Sequence, residues 1–203
     1  GLFADYDVDG ASSAALIMRF FTQLGIDTTL YIPDRVEEGY GPNIFGLRKL
    51  KADGANLILT LDCGILAFDV LEKASNDGCE IIVIDHHKAE ADLPSVKSII
   101  NPNRLDDDSE LGELAAVGIC FLFLVALNRR LRDIGYFKRL SEPNLIELLD
   151  LVALGTVCDV VPLRGLNRAF VSQGLKIIGN RTNLGLRVLS DLSKIEKKTD
   201  SYQ

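Results

Sequence analysis

The sequence has no tryptophan, and its 203 residues include only one methionine and two histidines. It also has no apolar stretch close to the roughly 20 residues that a membrane-spanning helix needs. Residues 1–20 lack the basic start and the small-residue cleavage site of a signal peptide. We therefore expect a cytoplasmic protein that does not work at a membrane.

The four cysteines are few and widely spaced. Cys63, Cys79, Cys120 and Cys158 lie mostly within apolar runs. Their spacing indicates neither a disulfide framework nor a Cys-x-x-Cys zinc site. We interpret them as reduced thiols in the core of the protein.

Acidic residues outnumber basic ones. The sequence has 29 Asp and Glu but only 22 Lys and Arg, which gives a net charge of −7. This balance argues against a protein that coats nucleic acid with a broad basic face. It does not exclude a nuclease whose basic surface lies in another domain, because an acidic metal site would contribute part of the negative charge. Charge alone therefore leaves the function open.

The first hundred residues alternate between strand-like and helical patterns. Short runs rich in Ile, Val and Leu predict strands at residues 2–4, 28–32, 56–61, 80–84 and 96–100. Apolar spacing of three and four predicts helices between them, at residues 11–24, 43–52 and 67–76. This alternation is typical of an α/β fold with a parallel sheet flanked by helices.

After Pro102 the strand-like runs nearly vanish, which predicts a helical subdomain packed on the sheet. We place the α/β core at residues 1–102 and the mostly helical subdomain at residues 103–203, joined by an exposed linker at residues 103–110. The chain begins within its first strand and ends in a polar tail, so we expect a fragment of a longer protein. Helices are predicted at residues 113–133, 143–156 and 165–178.

The motif Phe-Ala-Asp-Tyr-Asp-Val-Asp-Gly near the start crowds three carboxylates together. Like charges about 4 Å apart repel by about 1 kcal/mol in water and roughly 4 kcal/mol at an effective dielectric near 20, so Asp5, Asp7 and Asp9 require a nearby cation. An EF-hand calcium loop would need a bidentate Glu at its twelfth position, where this chain has Leu16. A solvated acidic turn, with Gly10 at a positive φ, stays open as an alternative.

Further acidic residues and the two histidines follow later predicted strands. Asp62 comes after the third strand and Asp85-His86-His87 after the fourth. Ligands gather at the carboxyl ends of strands in a doubly wound sheet, so we expect these residues to meet the first motif. Asp159 lies in an apolar run that should be buried, where an unpaired carboxylate is costly. The metal site would give the Asp159 carboxylate a partner. A position as the N-cap residue of a helix, or another hydrogen bond in the core, would do the same.

The adjacent histidines are expected to differ in role. Neighbouring side chains in extended backbone point opposite ways, which permits His86 as a metal ligand and His87 facing a substrate phosphate or leaving oxygen. Several Asp oxygens with one imidazole suit Mn²⁺ or Mg²⁺, with the nitrogen favouring Mn²⁺, whereas zinc would recruit more His or Cys. One or two such ions predict phosphoester hydrolysis.

Five motifs in this order resemble the DHH phosphoesterase superfamily. Asp-His-His alone is a weak signal, but five ordered motifs are a strong one. Within the superfamily the chain is most similar to the N-terminal catalytic lobe of the RecJ-type exonucleases, from Phe3 to about Leu189. The motifs are Asp-Tyr-Asp-Val-Asp-Gly, Glu-Gly-Tyr-Gly, Leu-Asp-Cys-Gly, Asp-His-His and Leu-Gly-Thr-Val-Cys-Asp-Val-Val-Pro-Leu.

The resemblance implies a role for each matching residue. Asp5 supports the first motif, His87 acts on the scissile phosphate, and Asp85 orients a histidine. Phe3 departs from the pattern, because the pyrophosphatase branch and some RecJ proteins carry a histidine ligand there. One of two metal positions is therefore expected to be weak or filled only with substrate. The residues at metal-ligand positions are Asp7, Asp9, Asp62, His86 and Asp159.

The resemblance further implies a 5′ to 3′ exonuclease that acts on single-stranded DNA in DNA repair and recombination. The second lobe of such enzymes carries a Gly-Gly-His type motif and basic residues that grip DNA, and neither is found in this sequence. We therefore expect most DNA contacts to lie outside this chain, and the chain alone to hold metal but cleave poorly. Two alternatives stay open: an enzyme for short oligoribonucleotides, phosphoadenosine phosphate or pyrophosphate, and a degenerate regulatory domain without turnover.

Overall fold

The computed structural model describes residues 1–194, so most of the predicted polar tail lies outside the described residues. Five parallel strands form one sheet in the order β2-β1-β3-β4-β5. This confirms the predicted α/β fold, although β2 to β5 are shorter than their apolar runs. The strands are β1 Leu2–Ala4, β2 Leu30–Tyr31, β3 Ile58–Leu61, β4 Ile81–Ile84 and β5 Ser98–Ile100.

Helices occupy the predicted regions and one further region. The segment predicted as one helix at residues 143–156 divides into a short 3₁₀ turn, Leu145–Leu148, and the helix α5. A second 3₁₀ turn spans Tyr136–Lys138, and the last helix, α7, was not predicted. The helices are α1 Val8–Gln23, α2 Ile44–Ala52, α3 Phe68–Asn76, α4 Ala116–Asp133, α5 Leu149–Cys158, α6 Gly165–Gly179 and α7 Leu184–Leu192.

The sheet is covered on both faces because successive strand residues point to opposite sides. In β1, Phe3 packs with Leu47 of α2 and Leu71 of α3. Its neighbours Leu2 and Ala4 lie in the other core cluster, with residues of α1, α4 and α5. The helical part after Pro102 thus shares a core with one face of the sheet. The domain division at residues 102 and 103 stays a prediction.

The cysteines are free thiols, and three of them are buried as predicted. Cys158 is exposed, which corrects its assignment to the core. The reason is that α5 ends at Cys158, where the chain leaves the packed helices. Within residues 1–194, none of the helices combines the length and apolarity that crossing a membrane requires.

Gly174 allows α6 to pack directly on α5. A Cβ at this position would overlap the Leu149 carbonyl oxygen and the Cβ of Ala153. We expect Gly174→Ala to lower the free energy of unfolding by about 1–3 kcal/mol, because overpacking outweighs the gain in helix propensity. Urea denaturation would measure this loss. Gly179→Ala, in open space within the described residues, is the matched control and should leave stability unchanged or slightly higher.

Candidate metal centre

The acidic motif forms the start of α1. Asp7 is the N-cap residue, and its side chain accepts a hydrogen bond of 2.9 Å from the Gly10 amide. Gly10 is helical, and a Cβ there would collide with the backbone of Asp5. The alternative of a solvated turn with Gly10 at a positive φ is therefore wrong, since the glycine is required by close packing.

Asp9 joins the start of α1 to the start of α4. Its two carboxylate oxygens accept hydrogen bonds from the backbone amides of Ala116, at 2.6 Å, and Val117, at 2.9 Å. Ala115, at the N-cap of α4, has no side-chain oxygen to offer, so Asp9 caps this helix from another segment. Asp9 is 1% exposed, and the positive end of α4 favours its carboxylate.

Asp62 follows β3 directly and adopts the left-handed conformation, with a φ of 61°. Aspartate tolerates this conformation better than most residues. The turn places its carboxylate 3.3 Å from His86 Nε2, although Oδ1 has no hydrogen-bond partner of good geometry within residues 1–194. Asp62 is 1% exposed, so this oxygen is shielded from bulk solvent.

Asp85 organises the loop after β4. Its Oδ1 accepts hydrogen bonds from the His86 amide at 2.7 Å and from His87 Nδ1 at 2.7 Å, and its Oδ2 accepts one from the Ile65 amide at 3.0 Å. Burial alone would raise the pKa of Asp85, but the hydrogen bonds from His87 and Ile65 outweigh it and lower the pKa. Asp85 therefore stays charged and holds the His87 ring.

The two histidine rings converge, contrary to the expectation that they point opposite ways. Their centroids are 4.6 Å apart, and the nearest ring nitrogens of His86 and His87 lie 3.3 and 3.9 Å from Asp62 Oδ1. The premise of extended backbone was wrong, because the pair lies in the loop after β4, and the division of roles between the two histidines stays a prediction. The rings still differ in exposure, with side chains 14% exposed for His86 and 45% for His87.

His86 is held so that one ring nitrogen faces the carboxylates. Its Nδ1 lies 3.1 Å from the Leu114 carbonyl oxygen, which can only accept, so Nδ1 carries the proton. The opposite nitrogen, Nε2, lies 4.0 Å from Asp9 Oδ2 and 3.7 Å from Asp159 Oδ2. In the neutral ring this nitrogen has a lone pair available to a metal ion.

Asp159 reaches this group from the end of α5, where it is the C-cap residue. The alternative of an N-cap is therefore wrong. The apolar run was expected to be buried, but Cys158 and Val160 on either side of Asp159 are exposed, because α5 ends there. Its Oδ2 is buried and has no hydrogen-bond partner in the described chain.

The carboxylates and histidines form three overlapping groups, each with ligand atoms within 4.8 Å of one another. Asp62 belongs to two of them, and Asp5 contributes to the group with Asp7 and Asp62. Asp5 is 3% exposed, and its Oδ1 has no hydrogen-bond partner among the described residues. The groups are Asp62, His86 and His87; Asp9, His86 and Asp159; and Asp5, Asp7 and Asp62.

The burial of these acids shifts their protonation. Burial and the neighbouring carboxylates raise the pKa of Asp62 to about 8, and burial raises the pKa of Asp9 to about 6 although the amides of Val117 and Ala116 oppose it. Burial disfavours the charge on His86, but the nearby Asp62, Asp9 and Asp159 raise its pKa to about 9. Asp62 and His86 thus share protons at neutral pH, which a bound cation would displace.

Phe3 lies outside the cluster. It is fully buried and stacks on Tyr31 with ring centroids 5.4 Å apart. The side chain belongs to the core between the sheet, α2 and α3. Whether one metal position is weak for lack of a ligand there stays a prediction.

Several groups that orient the site were not predicted from sequence. The Leu114 carbonyl and the amides of Ala116 and Val117 are backbone groups, which carry no residue-type signal. Asn101 and Asn103 hydrogen-bond the backbone of the histidine pair. They flank Pro102 in an Asn-Pro-Asn sequence, which carries no signal for this role by itself.

A family model described as "DHH family, N-terminal domain" matches residues 2–156. The chain belongs to the DHH family. This match confirms the resemblance inferred from the five motifs. The Asp-His-His motif of the family lies at residues 85–87, at the edge of the sheet where these side chains meet the other aspartates.

Curated relatives within the DHH family are named single-stranded-DNA-specific exonuclease RecJ. The protein from Dickeya dadantii (strain 3937) is 41% identical over 196 residues, which are 95% of this chain and 34% of the relative. The protein from Escherichia coli (strain K12) is 42% identical over 193 residues, 93% of this chain and 33% of the relative. The chain therefore spans about a third of the length of these relatives.

Solved structures of DHH-family proteins have the same fold. An exonuclease RecJ bound to manganese superposes with a TM-score of 0.81 at 36% identity, covering 97% of this chain and 48% of that one. RecJ of Thermus thermophilus in complex with Mn²⁺ gives a TM-score of 0.74 at 32% identity, covering 94% of this chain and 26% of that one.

Proposed function

We propose that this chain is the metal-binding catalytic lobe of a 5′ to 3′ exonuclease specific for single-stranded DNA. The observation that carries the proposal is that two of the proposed ligands, Asp62 and Asp159, each have a buried carboxylate oxygen without a hydrogen-bond partner in residues 1–194. His86 Nε2 lies 3.3 Å from Asp62 Oδ1 and 3.7 Å from Asp159 Oδ2, so one imidazole faces more than one carboxylate, and leaving their oxygens without hydrogen bonds is costly. A divalent cation is the partner that satisfies several carboxylates at once.

The donor set fits Mn²⁺ or Mg²⁺, because it consists of carboxylate oxygens with an imidazole nitrogen. One or two such ions, when bound, supply a nucleophilic hydroxide at neutral pH and stabilise charge on phosphoryl oxygens. The chain's own contribution is to hold these donors in place before the substrate arrives, through the helix starts and the loop after β4. The residues that we propose as ligands are Asp7, Asp9, Asp62, His86 and Asp159.

His87 is proposed to act on the substrate. The hydrogen bond from its Nδ1 to Asp85 raises the pKa of His87, so the ring holds a proton more readily than a free imidazole does. Its side chain is 45% exposed, which leaves the ring open to a phosphate at the cluster. We propose that Asp85 orients the ring and that the protonated His87 donates to a phosphate or leaving oxygen.

The substrate is proposed from the relatives, whose names specify single-stranded DNA. The chain covers about a third of them, and its net charge of −7 is unfavourable for binding a polyanion by itself. We therefore propose that most DNA contacts lie outside this chain. We further propose that the whole protein acts in the cytoplasm, in DNA repair and recombination, in keeping with the names of the relatives.

Substrate choice separates this function from its alternatives. With Mn²⁺, the full-length protein should degrade single-stranded DNA from its 5′ end and leave pyrophosphate, phosphoadenosine phosphate and dinucleotides largely intact. The present chain alone should be slower on the same DNA. The assay compares 5′-labelled and 3′-labelled oligonucleotides with the three small substrates.

Cleavage of the small substrates alone would favour a small-substrate DHH enzyme. Binding of Mn²⁺ without cleavage of any substrate by the full-length protein would favour a regulatory domain. Product release from the 3′ end would contradict the proposed polarity while leaving the nuclease assignment in place.

A further inference from the structure

Two asparagines at the end of β5 hold the backbone of the histidine pair. The Asn101 side-chain amide donates to the His87 carbonyl oxygen at 2.9 Å, and the Asn103 amide donates to the His86 carbonyl oxygen at 2.6 Å. We propose that Asn101 and Asn103 are positioning residues that fix the orientation of both histidine rings. This inference deepens the proposed function and rests on it where it concerns metal binding.

The two asparagines form one unit. Asn101 Oδ1 accepts a hydrogen bond of 2.7 Å from the Asn103 backbone amide, so Asn101 uses both ends of its side chain. Asn101 is only 4% exposed, and water cannot readily replace these bonds. The Asn-Pro-Asn segment therefore couples the end of β5 to the loop after β4.

Asn103 also links the histidines to the segment before α4. Its Nδ2 donates a second hydrogen bond, of 3.0 Å, to the Gly112 carbonyl oxygen. Two residues later, the Leu114 carbonyl accepts from His86 Nδ1, and the Ala116 amide binds Asp9. A short segment before α4 thus sets the position of both His86 and Asp9, and Asn103 ties that segment to the histidine loop.

The chemistry requires an amide at position 103. Both partners of Nδ2 are carbonyl oxygens, which only accept, and an amide nitrogen supplies two hydrogens. A charged aspartate has the same shape but has no donor and would repel both carbonyls. Gly112 permits the close approach, because a Cβ there would lie 2.6 Å from Asn103 Oδ1.

The test uses Asn103→Asp in this chain, and Asn180→Asp, an exposed residue at the end of α6, as the matched control. Because the chain has two histidines, NMR of ¹⁵N-labelled histidine in the metal-free protein gives two sets of imidazole signals. We expect Asn103→Asp to shift them and to weaken Mn²⁺ binding about 10- to 100-fold by calorimetry, as for other residues that orient metal ligands. Asn180→Asp should change neither.

Circular dichroism at the assay temperature would establish that each variant is folded. If Asn103 had a merely structural role, Asn103→Asp would lower stability but leave the imidazole signals and the Mn²⁺ affinity of the folded protein unchanged. That result would overturn the inference. If Asn103→Asp does not fold, Gly112→Ala displaces the amide without a change of charge, and the same two readouts decide. Shifted imidazole signals in a chain that binds no Mn²⁺ would support the positioning role and contradict the proposed function.

Discussion

Replacing Asp62 by asparagine should lower the rate of Mn²⁺-dependent DNA cleavage by the full-length protein about 10³-fold or more, equivalent to about 4 kcal/mol of transition-state stabilisation. Asp62 belongs to two of the three groups of potential ligands and lies 3.3 Å from His86 Nε2. Asparagine keeps the size of the side chain and tolerates the φ of 61°. The loss should therefore come from the missing charge rather than from misfolding.

Asp69→Asn is the control for this change, because Asp69 is exposed in the first turn of α3 and belongs to none of the three groups of potential ligands. It should retain nearly full activity. Single-turnover kinetics would separate cleavage from DNA binding, and calorimetry would show weaker Mn²⁺ binding for Asp62→Asn alone. An active Asp62→Asn enzyme would contradict the proposed ligand set, whatever its substrate.

The second large effect is a gain in stability on metal binding. Mn²⁺ at about 100 times its dissociation constant should raise the free energy of unfolding of this chain by about 2.7 kcal/mol at neutral pH. The gain should shrink toward pH 5, because protons compete with the ion for the same carboxylates. Urea denaturation with and without Mn²⁺ would measure it, with Asp62→Asn as the variant that loses most of it.

The metal-free chain should become less stable as the pH rises from about 5 to 7. The pKa of Asp62 is about 8 and that of Asp9 about 6 in the folded state, against about 3.9 for an unfolded aspartate. The pKa of His86 is about 9 when folded, against about 6.5 when unfolded. The folded state therefore keeps protons that the unfolded state has already lost in this interval, so the free energy of unfolding falls as the pH rises.

Asp85 contributes in the opposite direction but at lower pH. Its folded pKa is lowered, so its stabilisation is present above the unfolded pKa and is lost only as the pH falls below about 4. The titration of Asp85 therefore does not affect a comparison of the free energy of unfolding between pH 5 and 7. The Asp62→Asn variant should show a smaller decline over this interval, and a rise in the stability of the unmodified chain would contradict the burial of charge at this site.

Local pattern predicted the strands and most helices because burial on both faces favours apolar runs, which are continuous in β4 and interrupted only by Thr60 in β3. Helix boundaries were less accurate. The prediction began α1 at residue 11, whereas the helix begins at Val8, because a polar first turn carries no apolar periodicity. α7 was missed although Leu184, Val188 and Leu192 recur at helical spacing, and none of its residues is buried.

The aspartates and histidines of the site were identified from sequence because their chemistry is unusual at the ends of apolar strands. Their pairwise geometry was not. The convergence of His86 and His87 depends on Asp85 and on the loop conformation after β4, and the capping of α4 by Asp9 joins residues more than 100 positions apart.

The sequence by itself determined the α/β fold, the DHH family and the residue types of a carboxylate-rich site, because these depend on composition and local order. Only the tertiary structure decided which oxygens lack hydrogen-bond partners, which nitrogen of His86 faces the carboxylates, and that Asn101 and Asn103 support the histidines. These features depend on backbone carbonyls and amides brought together by folding. Every residue has such backbone groups, so no pattern of side chains in the sequence predicts which of them will meet.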